Sequence, residues 1–359
     1  MAPLLKNLYN EAYLSLLTST LTQYFHSFDE KLFFMSIYDK DWKNRELKAR
    51  MHHIANTLGT LLPNHYEEAI KILKCTFSDM NFSYGLENMI FQDFVAIYGH
   101  NHFTISMDAL AHFTVHSSSE FAIRTFLLKY PQETMQQMQL WAKSQNEHHR
   151  RLASEGCRPR LPWATQLPLF INDPSPILVI LELLKEDTSK YVQKSVANNL
   201  NDISKDNPKI VIKLLQKWIG TTKQSDWILK HGARTLLKNS NREVLQLFGF
   251  HTPQVTLTDM LFTKEVKKGT QLDFSFTLHS AQNLGKLRIE YAILFLRKNR
   301  QHNKKVFHLA EGEYIKTQKS FHKSYSFKPI TTRNYYEGEH TLQIIINGTM
   351  LKEVTFFLT

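Results

Sequence analysis

The chain has 359 residues, of which 42% are hydrophobic and 21% are charged, and its formal net charge is +11. This length exceeds what one hydrophobic core usually organises, so we expect two domains, or an elongated repeat array with an appendage, and the composition excludes long disordered stretches. The two cysteines, Cys75 and Cys157, are 82 positions apart, a spacing that matches neither a disulfide framework nor a metal site.

The N-terminal residues do not predict a targeting signal. The N-terminus has no basic segment followed by an apolar core, and the most apolar stretch, Ile177 to Leu184, is short and contains Glu182. Secretion and membrane insertion are therefore disfavoured, and we expect a cytoplasmic protein.

From Asn7 to about Phe250, apolar residues recur at three- and four-residue spacing, which predicts α-helices. Proline, glycine and polar residues interrupt this pattern at short connections. The breaks fall at Pro63-Asn64, Gly99-His100, Tyr130-Pro131, residues 159–168, residues 173–176, Asn207-Pro208 and Gly220-Thr221.

Two helical segments look like copies of one unit, because a shift of 36 residues superimposes similar side chains. The stretch 149–156 resembles the same segment at a looser spacing. Helix pairs of this period cannot bury their apolar faces alone, so we predict a stacked solenoid with one concave face. The matched pairs are Ser189 and Ser225, Tyr191 and Trp227, Lys194 and Lys230, Ala197 and Ala233, and Leu200 and Leu236.

His112, His116 and Glu120 follow one another at four-residue spacing, which could place them on one helix face and raises the possibility of a metal. The zinc-protease pattern requires Glu directly after the first His, where this chain has Phe113. Structural histidines are the simpler interpretation, and we expect no metal site.

Three acidic residues lie in helix-terminal or aromatic settings: Glu120, Glu155 and Asp202. A structural role explains each one taken alone, such as Glu120 near a helix N-terminus or Asp202 capping a turn before Pro208. The segment from Arg150 to Ala164 is more unusual, since four arginines, Glu155 and Trp163 surround a proline-broken loop. Arginine offers planar contacts to phosphate, and tryptophan attracts cations to its ring face. A structural connection between helices remains the alternative.

After residue 254 the period changes to two, as in Leu272 to Leu278 and Leu287 to Phe295, which predicts strands. Residues 341–346 and 350–358 flank Asn347-Gly348, a pair suited to a tight hairpin turn. About seven short strands predict an immunoglobulin-like sandwich. We place the domain boundary between residues 253 and 254.

The second domain carries most of the excess positive charge. Residues 254–359 contain 16 Lys and Arg against 9 Asp and Glu, a net charge of +7. A basic surface attracts polyanions, although a solvated basic face without a partner is equally compatible with charge alone. The densest cluster runs from Arg297 to Arg300 and continues at Lys304-Lys305, where we expect a loop between strands.

Several stretches strongly resemble the AlkC family of bacterial alkylpurine DNA glycosylases, relatives of AlkD built from HEAT-like repeats. One branch of that family carries a C-terminal immunoglobulin-like module, which fits the predicted second domain. The matching stretches are residues 46–55, 118–124, 150–164, 191–202 and 227–237, and the run Arg-Pro-Arg-Leu-Pro-Trp at 158–163 is the most specific.

The resemblance implies that the protein excises 3-methyladenine and 3-methylcytosine from double-stranded DNA in base excision repair, without full base flipping and without a cofactor. It implies that Glu120 and Asp202 are the catalytic acids and that Trp163, Arg151 and Glu155 line the site. Basic residues of both domains are candidates for DNA contacts. They are Arg158, Arg160, Lys194, Lys230, His231 and Arg234 in the repeats and Arg297, Lys298 and Arg300 in the sandwich.

We expect duplex DNA with alkylated bases as the partner, no membrane association, and action as a monomer. The alternative is a non-catalytic scaffold, in which the repeats bind nucleic acid or a peptide and the sandwich is an accessory module.

Overall fold

The computed structural model describes residues 4–80, 85–330 and 333–359, and its helices precede its strands. The α-helices are α1 Glu11–Tyr24, α2 Glu30–Ile37, α3 Leu47–Leu61, α4 Tyr66–Asp79, α5 Met89–Tyr98, α6 Phe103–Phe113, α7 Ile123–Lys129, α8 Pro131–Ala142, α9 Glu147–Gly156, α10 Pro168–Asn172, α11 Ser175–Leu184, α12 Lys190–Asp206, α13 Pro208–Trp218, α14 Lys223–Gly232, α15 Arg234–Lys238 and α16 Arg242–Leu247. The strands are β1 Thr256–Phe262, β2 Glu265–Val266, β3 Gln271–His279, β4 Gly285–Leu296, β5 His302–Tyr314, β6 Gln318–Ser326, β7 Gly338–Ile346 and β8 Thr349–Leu358.

The predicted breaks are confirmed, since each lies at the boundary between two of these helices. Proline begins α8, α10 and α13, where its missing N–H costs no intrahelical hydrogen bond and its fixed φ suits the first turn. Within the described residues, no helix is both long and apolar enough to cross a membrane.

The contacts between Cα atoms divide the chain into two compact units. The first unit comprises Met1–Asn207 and Gly220–Gly232, and the second comprises Pro208–Ile219 and Ala233–Thr359. The second unit therefore contains α13, α15 and α16 in addition to the strands. The predicted boundary at residue 254 lies between α16 and β1, where helices give way to strands.

In the first unit, successive helix pairs stack on one another. Helix α8 packs against α9 and α11, while α9, α12 and α14 lie side by side in chain order. Helix α12 shows why: its apolar residues at three- and four-residue spacing are buried, and full burial of each such side chain contributes about 1.5–3 kcal/mol. The stacking confirms the predicted solenoid-like fold.

The two copies related by 36 residues differ in one respect. Helix α12 is continuous, but the second copy ends as α14 at Gly232 and resumes as α15 after Ala233. A Cβ atom at Gly232 would lie 2.9 Å from Cβ of Leu200 on α12, so glycine allows the close approach of the two helices. Glycine is also a poor helix former, which favours the break at this point.

The strands of the second unit form a sandwich of two sheets. The three-stranded sheet has the order β1-β3-β6, and the five-stranded sheet has the order β2-β8-β7-β4-β5. All pairings are antiparallel except that of β2 with β8, which is parallel. The predicted immunoglobulin-like sandwich is confirmed, and β2, with two residues, is too short to leave a pattern in the sequence.

The sandwich core comes from the residues that alternate along β3 and β4. Leu272 to Leu278 on β3 and Leu287 to Phe295 on β4 bury every second side chain in this core. Asn347 and Gly348, with φ of 45° and 77°, form the turn between β7 and β8, as predicted.

His340 on β7 is fully buried in the same unit. Its Nε2 lies 2.9 Å from the carbonyl oxygen of Tyr336, which only accepts, so this nitrogen carries the proton. Its Nδ1 then accepts a hydrogen bond from the backbone N–H of Leu296 at 3.3 Å. Burial lowers the pKa of this imidazole, and both contacts fit the neutral ring.

Candidate active site

Glu120 lies in the loop between α6 and α7, with 14% of its side chain exposed. Its Oε2 accepts hydrogen bonds from the hydroxyl of Ser118 and from Nη1 of Arg151 on α9. Because α6 ends at Phe113, the helix face suggested for His112, His116 and Glu120 does not exist. In the described part of the chain, no group of three His, Cys, Asp or Glu side chains is arranged to hold a metal ion.

His112 and His116 instead line a cavity of about 410 Å³ beside α4, α6 and the start of α9. Nε2 of His112 lies 3.1 Å from the hydroxyl of Ser78, and burial lowers the pKa of its imidazole. Glu120 is not among the residues that line this cavity.

Asp202 lies within α12 and is almost completely buried, with 2% of its side chain exposed. Its Oδ2 accepts a hydrogen bond from Nε of Arg158 at 2.8 Å, and its Oδ1 accepts one from Nζ of Lys205 at 2.9 Å. Since α12 continues to Asp206, Asp202 does not cap a turn before Pro208. A carboxylate removed from water in this way needs cationic partners, and both of its oxygens have one.

A chain of side chains with alternating charge connects the two acids. Arg151, Glu155 and Arg158 follow at four- and three-residue spacing, which places them along one face of α9 and the turn after it. The successive ion pairs are Glu120 with Arg151, Arg151 with Glu155 at 3.6 Å, Glu155 with Arg158 at 2.7 Å, Arg158 with Asp202 at 2.8 Å, and Asp202 with Lys205 at 2.9 Å.

Arg158 lies between Glu155 and Asp202 in this chain, with 8% of its side chain exposed. Burial lowers the pKa of its guanidinium, but Glu155 and Asp202 outweigh this effect and leave the pKa above the ordinary value. The predicted contact of Arg158 with a DNA phosphate stays a prediction, and this position does not favour it, because the guanidinium is already bound to two buried carboxylates. The sequence alone does not distinguish a basic residue that contacts a phosphate from one that pairs with a buried carboxylate.

Trp163 lies on the loop between α9 and α10, with 65% of the residue exposed. Its φ of 62° is in the left-handed region, which is uncommon for a bulky side chain and costs conformational energy. Nζ of Lys48 donates a hydrogen bond to its carbonyl oxygen at 2.8 Å and lies 4.5 Å from the ring centroid of Phe121. An exposed indole held in a strained backbone is more typical of a binding role than of packing.

The buried guanidinium of Arg124 holds the same loop. It donates hydrogen bonds to the carbonyl oxygens of Gly156 at 3.0 Å, Arg158 at 2.8 Å and Thr165 at 2.8 Å. Burial lowers the pKa of Arg124 to about 10. Sequence reasoning missed Arg124 and Lys48, since no spacing indicates a side chain that binds backbone carbonyls of a distant loop.

Tyr191 and Trp227, which the 36-residue repeat relates to each other, each make a cation–π contact. The guanidinium carbon of Arg151 lies 5.1 Å from the ring centroid of Tyr191, and Nζ of Lys190 lies 4.7 Å from that of Trp227. Cation–π contacts of this kind fix the direction of a long side chain. This role of Tyr191 was also missed, although the repeat itself marked the position.

The other basic residues predicted to bind DNA differ in exposure. In the first unit, Lys194, Lys230 and His231 are exposed, whereas Arg160 donates two hydrogen bonds of 2.7 Å to Asp206. A phosphate would have to compete with that carboxylate for Arg160.

In the second unit, Arg234 is partly buried at the start of α15. Arg297, Lys298 and Arg300 are all exposed on the turn between β4 and β5, as expected. The expectation was wrong for Lys304 and Lys305, which lie within β5 and pair with residues of β4. Arg300 has a φ of 62°, and its N–H bonds to the carbonyl oxygen of Arg297 at 2.9 Å, which closes this turn.

Comparison with known proteins gives matches to both parts of the chain. Residues 108–240 match the family described as "DNA alkylation repair enzyme", and residues 257–359 match the one described as "Uncharacterised protein YhaZ, C-terminal Ig-like domain". The "Uncharacterized protein YhaZ" of Bacillus subtilis (strain 168) is 42% identical over 355 residues, which are 98% of each chain.

A solved structure is also similar over the whole chain. It is described as "Pseudomonas fluorescens alkylpurine DNA glycosylase AlkC bound to DNA containing an abasic site analog". The TM-score is 0.94 at 34% sequence identity, and the match covers 99% of this chain and 100% of that chain. The similarity therefore extends over both the helices and the sandwich.

Proposed function

The chain belongs to the AlkC family of alkylpurine DNA glycosylases, in the branch with a C-terminal immunoglobulin-like domain, and on that premise we propose that it excises 3-methyladenine and 3-methylcytosine from duplex DNA. Membership in the family establishes repair of alkylated DNA by a glycosylase. The particular bases and the mechanism go beyond what family membership establishes, and we propose them from the site.

The chemistry of the substrate determines what the site has to supply. An N3-alkylated base is cationic while it is bonded to the sugar and leaves as a neutral molecule, so the reaction needs no general acid. Positive charge develops instead on the deoxyribose. A fixed carboxylate close to C1′ stabilises that charge in a partly dehydrated site, and a second carboxylate holds or deprotonates the attacking water.

Glu120 and Asp202 are the two carboxylates that we assign to these roles. The observation that supports the assignment is the unbroken ion chain between them, which joins a loop residue to a residue of α12 through α9. Both acids thus belong to one electrostatic unit. Each is held by an arginine that also binds Glu155 and is thereby fixed, which is the preorganisation that electrostatic catalysis requires.

Trp163 is proposed to bind the cationic base. The face of an indole attracts cations, so a positively charged lesion gains an interaction that a normal base lacks. Enzymes that flip a base enclose it in a snug pocket. Trp163 is exposed instead, which supports excision without full flipping of the base.

We further propose that exposed basic residues of both units bind the DNA backbone. In the first unit these are Lys194, Lys230 and His231, with a smaller contribution from Arg160. In the second unit they are Arg234 and the turn formed by Arg297, Lys298 and Arg300, and a basic turn of this size suits entry into the minor groove. Both proposed acids come from one chain, so the enzyme is expected to act as a monomer.

The test is incubation with duplex DNA treated with a methylating agent, followed by detection of free bases. Release of free 3-methyladenine and 3-methylcytosine is the expected result. A folded protein that binds the DNA and releases neither base would favour the scaffold alternative over the enzyme.

Variants of the two acids test the assignment. We expect Glu120→Gln and Asp202→Asn to lower the single-turnover rate by about 100- to 1,000-fold, the usual effect of losing one group that stabilises developing charge. Binding of duplex DNA with an abasic site should be largely retained. Glu182→Gln on α11, which removes the acid of an ion pair with Lys185 away from the chain, is the matched control. Wild-type rates in both acid variants would refute the site.

A further inference from the structure

We propose that Arg158 is a positioning residue, whose guanidinium sets the direction of the Asp202 carboxylate for the reaction. This inference rests on the proposed function, because Arg158 acts through Asp202. It replaces the role in phosphate binding that the sequence favoured.

The side chain of Arg158 binds two carboxylates at once. Its Nε donates to Asp202 at 2.8 Å and its Nη1 donates to Glu155 at 2.7 Å, with 8% of the side chain exposed. A guanidinium is planar, and its donors have fixed directions. The two hydrogen bonds therefore fix the angle between the carboxylates as well as their separation.

The backbone of Arg158 is held as firmly as its side chain. Its carbonyl oxygen accepts a hydrogen bond from Nη1 of Arg124 at 2.8 Å, and its N–H donates to the carbonyl oxygen of Glu155 at 3.2 Å. Arg158 therefore stays in place independently of the exposed part of the loop that carries Trp163.

Lys205, the second cation beside Asp202, is not held in a fixed direction. Lys205 is 41% exposed, and its ammonium group is a compact charge at the end of a flexible chain. It adds positive charge near Asp202 but sets no direction. Orientation of the carboxylate then depends on Arg158.

The first experiment replaces Arg158 by methionine and measures excision under single-turnover conditions. We expect the rate constant to fall about 100-fold, the effect of displacing a catalytic group by about 1 Å. The dissociation constant for duplex DNA with an abasic site should change by less than about threefold, because a buried guanidinium makes no phosphate contact.

Arg158→Lys separates charge from direction. Lysine keeps the positive charge but cannot bind both carboxylates in one fixed plane, so we expect a rate between those of wild type and Arg158→Met. The acid limb of the pH–rate profile should move to higher pH in Arg158→Met and less in Arg158→Lys, because loss of a buried cation favours protonated carboxylates. A purely structural role would leave the profile of the folded fraction unchanged.

Arg150→Met is the matched control. Arg150 lies on α9, which ends just before Arg158, and it binds both oxygens of the buried Asp187, through Nε at 2.6 Å and Nη2 at 3.1 Å. The substitution Arg150→Met breaks a buried ion pair of the same kind, but this pair lies outside the ion chain that joins Glu120 and Asp202. We expect a lower melting temperature but an excision rate close to that of wild type.

Combination with Asp202→Asn completes the test. If Arg158 acts through Asp202, adding Arg158→Met to Asp202→Asn lowers the rate no further. A wild-type rate for Arg158→Met, or a loss no larger than that of Arg150→Met, overturns the inference. If Arg158→Met does not fold, a wild-type rate and pH profile for Arg158→Lys overturn it instead. A wild-type rate for Asp202→Asn is a different result, because it refutes the proposed function itself.

Discussion

The basic turn between β4 and β5 allows a quantitative prediction about DNA binding. Arg297, Lys298 and Arg300 are all exposed there, and the proposed function assigns them to the DNA backbone. We consider the triple variant in which each becomes glutamine. The change removes three positive charges, and glutamine keeps a polar side chain of moderate length at each of the three positions.

The expected size follows from counterion release. Each phosphate contact that is lost reduces the slope of log K against log salt by about 0.9, so three contacts reduce it by about 2.7. Between 50 and 200 mM salt, the difference in affinity between wild type and the triple variant should then shrink by roughly 40-fold. At low salt the variant binds far more weakly, and at high salt the two proteins become similar.

The assay is fluorescence anisotropy with a duplex that contains an abasic site, at several salt concentrations. Replacing Lys264, Lys267 and Lys352 by glutamine gives a control with the same loss of charge from exposed positions of the same unit. If the turn contacts DNA directly, the control changes the slope much less than the triple variant. Equal slopes for the triple variant and wild type would show that the turn does not bind phosphates.

Three further predictions concern stability. Arg124→Met should lower the free energy of unfolding, measured by urea denaturation, by at least about 3 kcal/mol, because three backbone carbonyl groups of residues 156–165 each lose a donor at about 1 kcal/mol. A loss below about 1 kcal/mol would show that Arg124 does not stabilise this loop. Gly232→Ala should lower the free energy of unfolding by about 1–3 kcal/mol despite the better helix propensity of alanine, because the new methyl group would be too close to Leu200. A raised melting temperature would contradict this packing. Burial lowers the pKa of His340 from the ordinary 6.5, so the stability that the neutral ring contributes is present above pH 6.5 and is lost as the pH falls below that value. His340→Gln should therefore make the melting temperature less sensitive to pH between about 8 and 5.

The element types and most boundaries could be predicted because they depend on local periodicity. Every proline or glycine break separates two helices, and the alternation in β3 and β4 identifies the residues of the sandwich core. Grouping of α13, α15 and α16 with the strands could not be predicted. A hydrophobic pattern shows which face of a helix is buried, but it does not show which element covers that face.

For the candidate site, the residues could be named from sequence but their connections could not. The spacing of Arg151, Glu155 and Arg158 places them along one face of α9 and the turn after it, and this alternation of charge was visible in the sequence. Its continuation to Glu120 and Asp202 depends on the packing of a loop and of α12 against that face. The left-handed backbone of Trp163 also had no sequence signal, because no glycine or asparagine marks the position.

The alternating ion chain solves a problem that the proposed reaction creates. Buried carboxylates in one partly dehydrated site are costly to fold, since each buried charge loses several kcal/mol of hydration and neighbouring carboxylates such as Glu155 and Asp202, which share Arg158, repel each other. Arg151 and Arg158 offset both effects, because each is bound by a carboxylate on either side. Arginines committed in this way are poor candidates for phosphate binding, which therefore falls to exposed residues. The buried cations of the site thus pair with the acids, and we propose that the exposed cations bind the DNA.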